Sequence, residues 1–138
     1  MRILLADNQP KVRFALRVLL ERQAGLEVVG DAVDAVGLVS MAEACCPDLI
    51  LLSWDLPGLA ALDSLNTLRN LCPNGRIVIL SGRPEAQHEA VAAGADAFVS
   101  KTDPPDKLLS IIAQCARPCG GGGATCIKAR LGFYFCFI

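Results

Sequence analysis

Five polar side chains stand where apolar runs of this sequence end, and their types limit the chemistry that they can do. They are Asp7, Asn8, Ser53, Ser81 and Lys101. This set holds one carboxylate, one ammonium group, one amide and two hydroxyls, so its charges cancel. Mg²⁺ prefers carboxylate oxygens, and a serine hydroxyl is a weak nucleophile unless a base activates it. The residue types therefore predict a nearly neutral polar site with an uncharged serine at its centre.

The run from Leu49 to Ser53 predicts how these side chains are positioned. It is almost continuously apolar, and Pro57 and Gly58 after it favour a turn. Such a run is typical of a central strand that is buried on both faces of a parallel sheet. Reacting groups collect beyond the carboxyl ends of parallel strands, so we expect Ser53, Trp54 and Asp55 at the working edge of the sheet.

The order of apolar run and amphipathic segment is repeated along the chain. Strands are predicted over residues 2–6, 26–30, 49–53, 76–81 and 95–100. The helices between and after them are predicted to begin near Pro10, Asp34, Leu62, Pro84 and Pro104. Short links and right-handed crossovers then favour an α/β fold: a doubly wound, five-stranded parallel sheet in a flavodoxin-like three-layer sandwich. In that fold the five polar side chains meet at one edge.

Length, composition and charge exclude several classes of protein. The chain has 138 residues, 53% of them apolar and 20% charged, which predicts one globular domain. No run approaches the ~18 apolar residues of a membrane span, so we expect a cytoplasmic protein without membrane contact. A net charge of -1 gives no general attraction to nucleic acid. Basic residues in the first helix, such as Arg13 and Arg17, are interpreted as a solvated face.

Seven cysteines are many for a chain of this size. Their odd number and the lack of a secretory signal argue against a disulfide framework. Cys45 and Cys72 fall where a helix would bury a small apolar residue. Cys115, Cys119 and Cys126 do not have an ordinary zinc spacing, so no metal site is predicted from them.

The last part of the chain, residues 118–138, departs from the repeated pattern. Residues 119–125 are rich in glycine and predict a linker, and residues 131–138 hold most of the aromatic side chains. Two interpretations stay open for this tail. It is a poorly ordered end, or it is a hydrophobic docking peptide.

Four stretches of the sequence resemble the receiver domain of bacterial response regulators (CheY-like), over residues 1 to 117. They are Ile3-Leu4-Leu5-Ala6-Asp7-Asn8-Gln9-Pro10, Pro47-Asp48 with Leu56-Pro57-Gly58, Val78-Ile79-Leu80-Ser81, and Gly94-Ala95-Asp96-Ala97-Phe98-Val99-Ser100-Lys101. The resemblance implies that two acids after strand one and an aspartate at the end of strand three bind Mg²⁺. It also implies that this aspartate takes a phosphoryl group from a histidine kinase, and that Ser81 and Phe98 then switch the face formed by helix four, strand five and helix five.

Two of the three expected carboxylates are missing when the resemblance is applied residue by residue. Ser53 falls at the phosphoacceptor position, and Asn8 replaces the second acid. We therefore expect weak or absent Mg²⁺ binding at Asp7, Asn8 and Ser53, and no phosphotransfer to this domain. Lys101 is expected to pair with Asp7, and with Asp55 as well. A shifted register would make Asp55 the acceptor instead.

These observations predict a single-domain receiver of two-component signalling that is not an enzyme. It is expected to be a pseudo-receiver that contacts a protein partner, such as a histidine kinase or another regulator, without an output domain after residue 117. Family analogy also allows a homodimer through helices four and five. The alternatives are a receiver still phosphorylated at Ser53 or Asp55, a redox protein that uses its cysteines, and a degenerate copy without function.

Overall fold

The apolar runs form one parallel sheet in the computed structural model, which describes residues 1–58 and 64–116. Its strands are β1 (Arg2–Ala6), β2 (Glu27–Ala32), β3 (Leu49–Ser53), β4 (Arg76–Ser81) and β5 (Ala97–Ser100). They lie in the order β2-β1-β3-β4-β5, and every pairing is parallel. The predicted doubly wound, flavodoxin-like fold is confirmed.

Five helices connect or follow the strands within the described residues. They are α1 (Pro10–Glu21), α2 (Ala35–Cys45), α3 (Ser64–Leu71), α4 (Ala86–Ala92) and α5 (Pro105–Ala116). Pro10 takes the first turn of α1, where its missing N–H removes no intrahelical bond. Asp34 caps α2 as predicted, because its carboxylate accepts a hydrogen bond of 2.7 Å from the Gly37 N–H.

Two strands, β2 and β5, have bounds that differ from the sequence prediction, because backbone pairing rather than apolar pattern sets them. The strand predicted over residues 26–30 continues to Ala32, which pairs with Ala6 on β1. The strand predicted over residues 95–100 begins only at Ala97. Before it, the Asp96 carboxylate accepts a hydrogen bond of 2.8 Å from the Ile77 N–H and so fixes the entry to β5.

Alternating side chains of each strand point to opposite faces of the sheet and pack into two separate cores. Each core lies between the sheet and one of the two layers of helices. One core lies under α2, α3 and α4 and includes Leu38, Leu68 and Ala90. The other lies under α1 and α5 and includes Leu20 and Ile111. Both cores meet at β3, every residue of which is buried, so the central strand is fixed on both faces.

Helix α5 reaches Ala116, and the predicted tail over residues 118–138 lies outside the described residues. Among the described residues, no helix has the length and apolar content needed to cross a bilayer.

Candidate functional site

Backbone pairing continues one residue past several strands and brings the predicted site residues to the same edge. The Asp7 N–H donates to the Ala32 carbonyl at 3.1 Å, next to β1. The Lys101 N–H donates to the Ser81 carbonyl at 2.7 Å, which ties the end of β5 to the end of β4. Ser53 pairs with Leu80 in the middle of this edge.

Lys101 joins two of the predicted site residues through its ammonium group. Its Nζ atom lies 2.8 Å from Asp7 Oδ2 and 3.3 Å from Ser53 Oγ. The Asp7 side chain is only 2% exposed and that of Lys101 is 22% exposed, so the ion pair is largely shielded from water. A charge-assisted contact of this kind is stronger than one on the open surface. The predicted pairing of Lys101 with Asp7 is present.

The remaining acceptors of Asp7 are also engaged. Its Oδ1 atom accepts a hydrogen bond of 2.8 Å from the Gln9 N–H, and its backbone carbonyl accepts one of 2.6 Å from Arg13. Asn8, the next residue, is exposed. Its side chain makes no hydrogen bond to any residue that the structure describes. The structure therefore brings together Asp7, Ser53 and Lys101 and leaves Asn8 outside their contacts.

Asp55 does not join this group, and the expected pairing with Lys101 is wrong. Asp55 lies in the turn after β3, and its Oδ1 atom is 3.0 Å from the guanidinium of Arg83 in the loop between β4 and α4. Both side chains are 53% exposed. The turn carries Asp55 past the end of the strand and toward the neighbouring loop, where Arg83 is nearer than Lys101.

Ser81 and Phe98, the predicted switch residues, are both buried. The Ser81 hydroxyl accepts a hydrogen bond of 3.0 Å from the Arg83 N–H, so it is engaged within its own loop. Phe98 is only 3% exposed and lies in the same core as Ala86 and Ala90 of α4. The aromatic ring is thus packed inside the sandwich between β5 and α4.

Two arginines near the site were not predicted. Arg13 was interpreted as part of a solvated helix face, but only 17% of its side chain is exposed and it contacts Asp7. The interpretation is wrong for Arg13, because the first turn of α1 lies directly against the end of β1. Arg13 lies three residues after Pro10, in the first turn of the predicted helix, and this position could have indicated that it lies near the end of β1. Nothing in the sequence pattern singled out Arg83.

The residues at this edge do not fit the Mg²⁺ ion that the resemblance implies for ordinary members of the family. Within residues 1–58 and 64–116, no group of three or more Asp, Glu, His or Cys side chains could hold a metal. Asp7 supplies one carboxylate, both oxygens of which already accept hydrogen bonds. Mg²⁺ dehydrates reluctantly and requires carboxylates in octahedral geometry.

The family model described as response regulator receiver domain matches residues 3–113. The chain is 35% identical over 116 residues to the nitrate/nitrite response regulator protein NarL of Escherichia coli (strain K12), covering 83% of this chain and 54% of that protein. It is 33% identical over 134 residues to the nitrate/nitrite response regulator protein NarP of the same organism, covering 96% of this chain and 60% of NarP. The chain thus spans little more than half the length of these curated relatives.

Solved structures give the same result for the fold. A two-component response regulator of the LuxR family from Aurantimonas sp. SI85-9A1 superposes with a TM-score of 0.75 at 31% identity, covering 83% of this chain and 84% of that chain. The response regulator domain of Thermotoga maritima CheB superposes with a TM-score of 0.69 at 25% identity, covering 86% of this chain and 98% of that chain.

Proposed function

The chain belongs to the receiver domain family of two-component response regulators, and from that membership we propose that it acts as a pseudo-receiver. In this proposal Ser53 stands at the position of the phosphoacceptor aspartate, and Asn8 replaces the second acid of the metal site. The domain has no catalytic activity of its own. It signals through contact with a protein partner, a histidine kinase or another regulator, rather than with nucleic acid.

The observation that carries this proposal is the position of Lys101. Its ammonium group contacts both Asp7 and Ser53, at 2.8 Å and 3.3 Å. In a site with three carboxylates, like charges would repel one another until a metal ion bound. Here one cation balances one buried carboxylate, so the site is complete without Mg²⁺ or phosphate.

The packing of Phe98 supports the same proposal. The ring is 3% exposed and lies in the same core as Ala86 and Ala90 of α4. The face formed by α4, β5 and α5, which we call the α4–β5–α5 face, is therefore held with its aromatic side chain inside. We propose that a partner reads this face in that single arrangement.

The alternative is a receiver that is phosphorylated at Ser53 or Asp55 and switches through Ser81 and Phe98. Burial counts against Ser53, which is 1% exposed at the end of the central strand. A protein kinase could not reach its hydroxyl without opening the sheet. Asp55 is accessible, although Arg83 pairs with its carboxylate, so this residue is the stronger acceptor in the alternative.

Intact mass spectrometry after incubation with acetyl phosphate and Mg²⁺ tests the two functions against each other. We expect no phosphoryl adduct on the wild-type protein. The acceptor position holds Ser53 instead of a carboxylate, and the proposed loss of the Mg²⁺ site removes the ion that would activate the transfer. An acid-labile adduct on Asp55, or a stable one on Ser53, would refute the pseudo-receiver proposal.

Restoring the missing carboxylates provides the positive control for that experiment. The single variant Ser53→Asp is expected to be labelled poorly, because Asn8 still leaves the metal site one acid short. The double variant Ser53→Asp with Asn8→Asp is expected to be labelled efficiently. Efficient labelling of the single variant would contradict the assigned role of Asn8.

A further inference from the structure

Two cysteines that are distant in sequence lie together where α2 and α3 end. Cys46 is the residue that follows α2, and it is exposed. Cys72 follows α3, and it is buried. The sequence pattern predicts Cys72 as a small buried apolar residue and predicts nothing for Cys46, so the fold alone brings the two together.

Hydrogen bonds show how close the two residues are. The backbone N–H of Cys46 donates to the Ala42 carbonyl at 2.9 Å. The thiol of Cys72 donates to the same Ala42 oxygen at 3.5 Å. The thiol of Cys46 is directed to the next carbonyl of the turn, that of Glu43, at 3.9 Å. Both thiols therefore contact carbonyl groups in the last turn of α2.

The loops that follow the two cysteines are also packed against each other. A Cβ atom added at Gly75 would lie 3.1 Å from the Pro47 carbonyl and 3.2 Å from Cys72 Cβ. The Gly75 backbone therefore lies close to the Pro47 carbonyl, and the Arg76 N–H donates to the Asp48 carbonyl at 3.0 Å, so the segment after Cys46 runs beside the segment after Cys72. The two thiols are thus kept together by backbone packing on both sides.

The two thiols differ in exposure, and this assigns them different chemistry. Burial raises the pKa of the Cys72 thiol, and the charge of the neighbouring Cys46 thiol and a hydrogen bond with it raise that pKa further. Cys46 is the exposed member of the pair, so a small oxidant from solution reaches it first. Cys72 is protected from solution but lies next to Cys46.

We propose that Cys46 and Cys72 form a reversible disulfide when the protein meets a hydroperoxide. With hydrogen peroxide, the Cys46 thiol loses its proton and its sulfur attacks one peroxide oxygen, forming an S–O bond as the O–O bond breaks. The departing hydroxide takes up that proton and leaves as water, and the sulfur is oxidised by two electrons to a sulfenic acid. Cys72 then gives up its proton and attacks that sulfur, forming the S–S bond as the S–O bond breaks and a second water leaves. A dithiol returns both cysteines to thiols by exchange.

This modification site is independent of the proposed pseudo-receiver function and acts on a different part of the molecule. A bond between Cys46 and Cys72 would join the ends of α2 and α3 and close a loop that contains all of β3. Because cysteine pairs of this kind in reducing compartments are usually transient and sense oxidants, the expected role is reversible modification rather than permanent stabilisation.

Peptide mapping of the full chain tests the proposal. The protein is treated with hydrogen peroxide, its remaining thiols are alkylated, and it is digested with trypsin without reduction. Trypsin places Cys45 and Cys46 in peptide 23–69 and Cys72 in peptide 70–76. We expect these two peptides to appear as a linked pair that a dithiol separates, and we expect linking to speed up as pH rises, since the Cys72 thiol must lose a proton.

Matched variants separate this pair from the neighbouring cysteine. Cys45→Ala should leave the linked peptides in place, and Cys46→Ala should abolish them. In Cys72→Ala the sulfenic acid on Cys46 has no partner, so we expect dimedone to label Cys46 several-fold more than in the wild-type protein. Absence of the link in folded wild-type protein, or its persistence in Cys46→Ala, would overturn the proposal.

Discussion

Lys101 is the residue on which the polar site depends. It follows β5, and its ammonium group reaches across the sheet edge to Asp7, which is 94 residues away in sequence and almost fully buried. A buried carboxylate is stable only when it is paired and hydrogen-bonded. The site therefore has a structural role as well as its proposed role in signalling.

Replacing Lys101 by Met is expected to lower the free energy of unfolding by about 3 kcal/mol, because Asp7 is then left buried without a cation. Urea denaturation followed by circular dichroism measures this change. Lys107→Met is the matched control, since its ion pair with Asp103 is more exposed and such pairs contribute less than about 1 kcal/mol. Equal losses for the two variants would show that the Asp7 carboxylate does not need its partner.

At the scale of elements, helix α2 links the polar edge of the sheet to the cysteine pair. It begins after Asp34 close to the turn that follows β3, because the Ala35 N–H donates to the Pro57 carbonyl at 2.9 Å. It ends at Cys45, directly before Cys46. The hydrogen bonds of its first turn thus fix the start of α2 beside the turn that follows β3.

Asp34→Ala is expected to destabilise the protein by about 1 kcal/mol, because the Gly37 N–H loses its side-chain acceptor at the start of α2. The midpoint of thermal or urea unfolding reports the loss. Asp34→Asn keeps a side-chain oxygen at the same place and should stay close to the wild-type value. A loss in Asp34→Asn as large as that in Asp34→Ala would mean that the charge, and not the hydrogen bond, stabilises the helix.

At the scale of the whole molecule, the sheet fixes which charges meet. The parallel strands bring their carboxyl ends to one edge, and two cores hold β3 in place from both faces. A metal ion bound at that edge would stabilise the entire folded domain, because it binds the native state and not the unfolded chain. The shift in thermal stability on adding a metal ion therefore reports whether the ion binds at this edge.

Millimolar Mg²⁺ is expected to change the stability of the wild-type protein by less than about 0.4 kcal/mol, the value reached when the ion is at its dissociation constant. The variant Ser53→Asp with Asn8→Asp should gain about 1.4 kcal/mol when Mg²⁺ is at ten times the variant's own dissociation constant. The gain is expected because Mg²⁺ relieves repulsion among three carboxylates. Differential scanning fluorimetry with and without Mg²⁺ compares the two proteins. Ca²⁺ and a sodium control of equal ionic strength distinguish site binding from general screening, and a clear gain for the wild-type protein would contradict the proposed loss of the metal site.

The sequence by itself determined the strands, their order along the chain and the edge at which the polar residues gather. The bounds of β1, β3 and β4 were predicted correctly, because each is an apolar run with turn residues after it. Parallel pairing then brings Asp7, Ser53 and Lys101 to one edge whatever the details of packing.

Only the tertiary structure decided the other side-chain contacts, beyond the predicted pair of Lys101 and Asp7. It paired Asp55 with Arg83 instead of Lys101, and it brought Cys46 beside Cys72. The physical reason is the same for both. Periodicity and turn residues report local backbone conformation, whereas contacts between distant residues depend on the path of the loops and on how closely the helices pack on the sheet.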